Sequence, residues 1–302
     1  MLILLYAVVS FGYFGMAAWA WWRAAPRSPV WAMPRTQEPG AANAAPAPFG
    51  VSERVLLMLV WAIHLLLLGS DFYSPNGVRF GFASALSATM WLAVAIFWIE
   101  SLYFPLSSMR LLIFPLAGLC ALLPFWFPGT TALTRVGATR NPAFDAHLVV
   151  ALAAYGLLTL AALHALLMAA LDRWLHQADM DKERADAGLA RLERAVLGQL
   201  PPLLTMERLL FRLVTLGFVL LTLTVLTGVV FSEALFDRPI VFDHKTIFTL
   251  IAWAIFAALL AGRALYGWRG RVALRWTLAG FVAMFLAYAG SRFVLEVVLH
   301  RV

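Results

Sequence analysis

Long charge-free intervals alternate along the chain with short polar punctuation. Asp, Glu, Lys and Arg are absent from Met1–Trp22, Val55–Ser70, Phe80–Ile99, Leu111–Thr134, Ala146–Leu171, Leu213–Ser232, Thr246–Gly262 and Trp276–Ser291, intervals of 16 to 26 residues. A helix needs about 20 mostly apolar residues, at about 1.5 Å each, to cross a bilayer. Flanking arginines such as Arg54 and Arg275 extend the shorter intervals, because their stems lie in hydrocarbon while the guanidinium reaches water. The pattern predicts an all-α, polytopic membrane helix bundle of about eight transmembrane helices, a single integral-membrane domain over residues 1–302. The first interval has no basic start and outruns the apolar core of a secretory signal, about 7–15 residues, so it reads as a retained first helix.

Composition agrees with a chain that avoids water. Hydrophobic residues make up 63% and charged residues 13%, against roughly half and a quarter in soluble domains. Too few polar side chains remain to cover a soluble surface, which excludes a water-soluble enzyme and a disordered chain. The net charge of +7 points to nucleic acid only until the basic residues are located. With the N-terminus outside, the inner connections hold 16 of the 23 Lys and Arg, from Arg23 through Arg110 and Arg212 to Arg275. The positive-inside rule then places both termini on the outer, periplasmic side of a bacterial-type inner membrane. The charge becomes a topology signal, nucleic acid drops out as a partner, and the lipid bilayer replaces it.

Three connections stand out. Residues 23–53 hold six prolines among Ala and Gly and read as a cytoplasmic connector. Residues 172–208 mix both charge signs with Leu189, Leu192, Val196 and Leu200 near one stripe, a cytoplasmic helical connection that Pro201 and Pro202 interrupt. Residues 232–245 form a short outer loop rich in acidic and aromatic residues. Cys120 is the single cysteine, so it offers no internal disulfide and no C-x-x-C pair, and it reads as a small buried hydrophobe. The twelve tryptophans fall mostly near span ends, as an aromatic belt does. Glu100, near the inner end of the third span, is expected to meet water or Arg110.

Histidine carries the chemistry, because a neutral imidazole is a good ligand for haem iron and other transition metals. In this topology His147 opens the fifth span, His244 opens the seventh and His300 follows the eighth, all at the outer face. Two imidazoles from neighbouring helix ends can ligate a haem from opposite sides, with Lys245 and Arg292 pairing its propionates and Phe144, Phe242 and Tyr288 against the macrocycle. Arg292 can equally pair with Glu296 four residues on. Spacing alone does not separate haem from copper or zinc. His64 lies ten residues beyond Arg54, about 15 Å into the second helix, and is a candidate second site, a proton-relay member or a hydrogen-bonded structural histidine. His164 and His176 read as interfacial, toward the inner side.

The stretch Phe242-Asp243-His244-Lys245-Thr246, followed by IFTLIAWAIFAALLAGR and YGWRGR, resembles the integral-membrane cytochrome c assembly family of CcsA- and CcmC-type haem-handling proteins, and is most like its HemX/YpjD-like branch. Asp243, Lys245 and Trp253 occupy the positions of a W-D-P-K-type run and the tryptophan of the helix it enters. His147, ahead of Tyr155 and Gly156, matches a histidine that opens an earlier helix, and His300 aligns with one near the end of the last. The resemblance implies haem b bound by outer histidines, His147 with His244 and His300 as substitute for either, in cytochrome c biogenesis alongside other assembly proteins. The departures favour a haem-binding accessory over a full synthase. Ser232–Lys245 contains no Trp, His244 replaces the proline of the run, and Ala261-Gly262 stands before Arg263 where the family has an inner histidine. No residue pattern demands catalytic turnover. A membrane regulator or scaffold of haem synthesis acting through 172–208, and an ion-transport accessory built around His64, stay open at this point.

Overall fold

The computed structural model describes residues 2–24, 50–74, 77–78, 81–103, 109–128, 142–178, 203–236, 244–290 and 293–294. Each charge-free interval carries a helix: α1 Leu2–Ala24, α2 Val51–Phe72, α3 Phe82–Ser101, α4 Arg110–Trp126, α5 Pro142–Ala178, α6 Leu203–Phe236, α7 His244–Tyr266 and α8 Gly270–Phe285. A π-helical turn, Leu286–Gly290, continues α8. A two-residue antiparallel pair, Tyr73–Ser74 with Gly77–Val78, follows α2. Seven of the helices are long and apolar enough to cross a membrane. Their outward faces carry large apolar side chains in the open, such as Phe11 (76% exposed), Leu66 (66%) and Val230 (61%). Only a hydrocarbon surround makes that exposure stable, so the lipid bilayer is a partner of the fold.

The remaining helix, α4, has 17 residues, about 25 Å of rise. Pro128 follows its end, which cuts the long interval Leu111–Thr134 short. It nevertheless covers the depth that α1 covers. Tyr6 packs edge-on against Phe125 at 5.7 Å, Gly118 faces the Phe14 ring, Tyr13 stacks on Phe114, and Arg23 and Arg110 share the carboxylate of Glu53. The two helices are therefore antiparallel along nearly their whole lengths.

Sequential pairs repeat that arrangement. Helix α2 returns along α1 through Tyr6–Asp71 and Tyr13–His64, and α3 along α2 through His64–Ser87 and Trp61–Trp91. Helix α6 runs back along α5, with His147 on Thr227 at one end and His164 on Met206 toward the other. Helix α7 returns along α6 through Thr222–Trp253 and Glu207–Arg263. One apolar cluster, from Tyr6 to Met284, joins all eight helices.

The hairpin between α7 and α8 is set by glycine. Gly267 (φ 66°) and Gly270 (φ 52°) both take the left-handed region, and the Gly267 N–H caps α7 on the Arg263 carbonyl. Trp268 then folds over Gly262, where a Cβ would lie 2.3 Å from the indole. Gly262 is thus required by packing.

The bundle has two chemically different ends. Arg23, Arg110, Arg263, Arg269 and Arg271 gather at one, paired with Glu53, Glu207 and Asp172. Glu100 lies there too, partly exposed and within electrostatic range of Arg212, while Arg110 pairs with Glu53. The opposite end carries His147, Lys245 and Tyr288.

Candidate functional site at the histidine end

Three helices and the π turn build this end. His147 sits near the start of α5, half-buried, and its Nδ1 lies 2.7 Å from Oγ1 of Thr227 on α6. Gly228 follows Thr227, and a Cβ there would stand 3.6 Å from Cε1 of the imidazole. Glycine and threonine on α6 thus leave room for a ring and give it one polar anchor.

Lys245, the second residue of α7, lies within electrostatic range of His147. Its Nζ stands 5.7 Å from the Tyr288 ring centroid, a cation–π distance. Tyr288 lies in the π turn, a distortion that recurs where a helix must re-aim side chains at a site. The turn starts two residues beyond Met284, whose carbonyl accepts the Tyr155 hydroxyl at 3.2 Å. Tyr155 is two helical turns along α5 from His147, so α5 both carries the imidazole and braces the segment that holds Tyr288.

His244 is the first residue of α7, with its imidazole exposed. It therefore shares the His147 end without being packed into it. Arg292, Glu296, His300 and Phe242 lie outside the described residues, as do the side chains of Phe144 and His176 and most of the connections read at 23–53, 172–208 and 232–245. Among the described residues, no three His, Cys, Asp or Glu side chains gather as a metal cage. What the geometry offers is a half-buried imidazole, an ammonium and aromatic surface, with a second imidazole at the rim.

The other histidines are in the core. His64 is fully buried, its Nδ1 3.3 Å from the Tyr13 hydroxyl and its Nε2 3.0 Å from Ser87 Oγ. Both ring nitrogens are engaged, so ligation there would require giving one contact up. His164 was expected at an interface; it is 1% exposed and donates from Nε2 to the Met206 carbonyl at 3.1 Å. Its face turns onto α6. Cys120 is buried and free.

The sequence reading missed Thr227, Tyr155 as a brace, and the π turn. Thr227 could have been found, since α6 carries Thr222, Thr224 and Thr227 within an otherwise apolar span, and polar groups at that depth turn toward protein.

A family model described as Cytochrome C assembly protein matches residues 51–299. The chain belongs to this family. Within it, the chain is 34% identical over 166 residues to "Inner membrane protein YpjD" of Escherichia coli (strain K12), which is 55% of this chain and 56% of that protein. It is 35% identical over 112 residues to "Cytochrome c biogenesis protein CcsA" of Gloeobacter violaceus, covering 37% of this chain and 31% of the relative. A second protein of that name, from Nostoc sp., is 34% identical over 86 residues, or 28% of this chain and 24% of the relative. The chain thus spans about half the length of the first relatives it matches, and less of the others. The resemblance read at Phe242–Thr246 is borne out at family level, including its YpjD-like branch. Membership in a cytochrome c assembly family with seven spanning helices makes the chain a multi-pass inner-membrane protein.

Proposed function

We propose that this protein handles haem at the His147 end of the bundle, as a step in cytochrome c biogenesis carried out with other assembly proteins at the outer membrane face. The observation that carries the proposal is the convergence of His147, Lys245 and Tyr288 from α5, α7 and the π turn. The donor set fits a porphyrin better than a bare ion. A compact metal cage needs several ligands in one cluster, whereas haem brings four nitrogens of its own and asks the protein for one or two axial groups, cations and apolar walls.

In this reading His147 and His244 would hold the iron of a haem b, with His300 able to replace either. Lys245 and Arg292 would supply cations for the propionates, and Tyr288 an aromatic wall. Bound haem would supply a ligand-exchanging iron that is cargo for an acceptor. The protein's own groups bind and orient it, and the half-buried setting of His147 limits water on one side while the exposed His244 leaves the other side open. One firm and one loose ligand suit a protein that must also release what it holds.

The test is full-length protein purified from haem-replete cells, compared with the variant in which His147 and His244 are both alanine. The proposal expects the variant to lose most of its haem and its bis-histidine absorption bands. Wild-type stoichiometry and spectrum in the double variant would remove the assignment.

A further inference from the structure

Resting on the haem reading of His147, we infer that Thr227 is a positioning residue: it holds the His147 imidazole in the Nδ1–H tautomer, so that Nε2 carries the lone pair. The inference follows from counting one hydrogen. The Thr227 hydroxyl has a single proton and three acceptors within reach: the Leu223 carbonyl at 2.7 Å, the Thr224 carbonyl at 3.3 Å and Nδ1 of His147 at 2.7 Å. If the proton goes to Leu223, the Thr227 oxygen can only accept from His147, and Nδ1 must bear a hydrogen.

Helix α6 shows which way such hydroxyls point. Thr215, Thr222, Thr224 and Thr227 all lie 2.7 to 2.8 Å from the carbonyl four residues back. At Thr222 the direction is fixed independently, because Nε1 of Trp253 approaches its oxygen at 3.0 Å and an indole N–H only donates. The Thr222 oxygen is therefore an acceptor from the neighbouring helix, and its own proton serves Phe218. Thr227 repeats this arrangement five residues on, with the imidazole N–H in place of the indole N–H.

The consequence is chemical. An imidazole ligates through the nitrogen that lacks a proton, and the partner of the other nitrogen sets both tautomer and ring direction. Holding Nδ1–H on an α6 oxygen fixes the rotation of the ring about Cβ–Cγ. A hydroxyl is a weaker acceptor than a carboxylate, so the ligand stays a neutral imidazole with modest basicity, in keeping with haem that must be released.

The experiment has two readouts on full-length protein, with Thr227→Val and Thr227→Ser as the variants. The first uses haem-free protein labelled with ¹⁵N-histidine, where the His147 resonances are assigned by difference from His147→Gln. We expect a protonated Nδ1 and a bare Nε2 in wild type and Thr227→Ser, and a mixed population in Thr227→Val. The second follows transfer of bound haem to excess apomyoglobin, where Thr227→Val should hold haem about 10- to 100-fold less tightly and Thr227→Ser close to wild type. A protonated Nε2 in wild type overturns the inference. So does haem affinity unchanged in Thr227→Val while His147→Ala loses haem, a result that leaves the haem reading standing. Retention of haem by the double variant His147→Ala with His244→Ala would instead remove the haem reading, and the tautomer readout would still decide the role of Thr227.

Discussion

Replacing Glu53 by glutamine tests how the first half of the bundle is fastened. Its carboxylate is buried at 9% exposure where α1, α2 and α4 meet. Nη1 of Arg110 donates to both oxygens at 3.2 and 3.3 Å, the Gly50 N–H donates to one at 3.2 Å, and Arg23 stands 3.5 Å away. The Arg110 side chain is 8% exposed, so its charge has little water to fall back on, while Arg23 at 35% is largely screened. The loss is therefore dominated by Arg110. Removing one partner of such a buried pair costs about 3–5 kcal/mol, because the other charge loses its counter-charge in a place with little water. Glutamine keeps one acceptor, which places Glu53→Gln near the lower figure, about 3 kcal/mol. By the scaling known for soluble domains of 150–250 residues, that is a fall of roughly 6 °C or more in midpoint. Thermal unfolding of purified protein in detergent is the assay. The double variant Glu53→Leu with Arg110→Leu should recover most of the loss, since apolar side chains can replace a buried pair at little net cost. A Glu53→Gln midpoint equal to wild type, or a double variant as unstable as the single, would refute this reasoning.

Three further outcomes follow from contacts in the core. Gly217→Val places its Cβ 2.6 Å from Cδ2 of Leu158, so it should part α5 from α6 at a cost of about 1–3 kcal/mol, and Leu158→Ala in the same chain should restore much of the thermal midpoint. Ser87→Ala leaves Nε2 of the fully buried His64 without its partner and should cost about 1–3 kcal/mol, while Ser87→Thr should cost far less; equal midpoints for the two variants would contradict the hydrogen bond. Trp61 and Trp91 stack at 4.5 Å and each donates its indole N–H to the other's carbonyl at 3.0 Å. Their exciton signal in near-ultraviolet circular dichroism should therefore vanish equally in Trp61→Phe and Trp91→Phe, and its survival in either would break the assignment.

What could be read from the sequence is what the bilayer itself enforces. Charge is costly in hydrocarbon, so eight charge-free intervals mark eight helices. Their ends were less legible. Helix α6 starts at Leu203, ahead of its charge-free interval, because Glu207 is neutralised by Arg263, whose guanidinium also lies 3.5 Å over the Phe211 ring. Helix α5 likewise runs through Asp172, which Arg271 pairs. Such compensation depends on a helix distant in sequence, which a local count does not see. Facing was harder still. A helix apolar all round has no stripe to tell protein from lipid, so His164, expected at an interface, is instead buried against the next helix. Cys120 needed no neighbour to be read as a buried hydrophobe.

The site divides in the same way. His147 and Lys245 were legible because they are polar residues at helix starts beside long apolar runs. Their meeting with Tyr288 and Thr227 depends on the packing of α5 against α6 and on a π turn. Neither has a local signature. Tyr155 makes the point most directly: it stood in the sequence as a match ahead of Gly156, and only its hydroxyl on the Met284 carbonyl gives it a physical task.

The central claim is that the His147 end binds haem, and the most direct measurement is the absorption spectrum of full-length protein purified from haem-replete cells with no haem added. The account predicts a Soret band with the split visible bands of a reduced bis-histidine haem, at a stoichiometry that falls when His147 is replaced by alanine. Protein that folds, unfolds cooperatively and carries no haem under those conditions would contradict it.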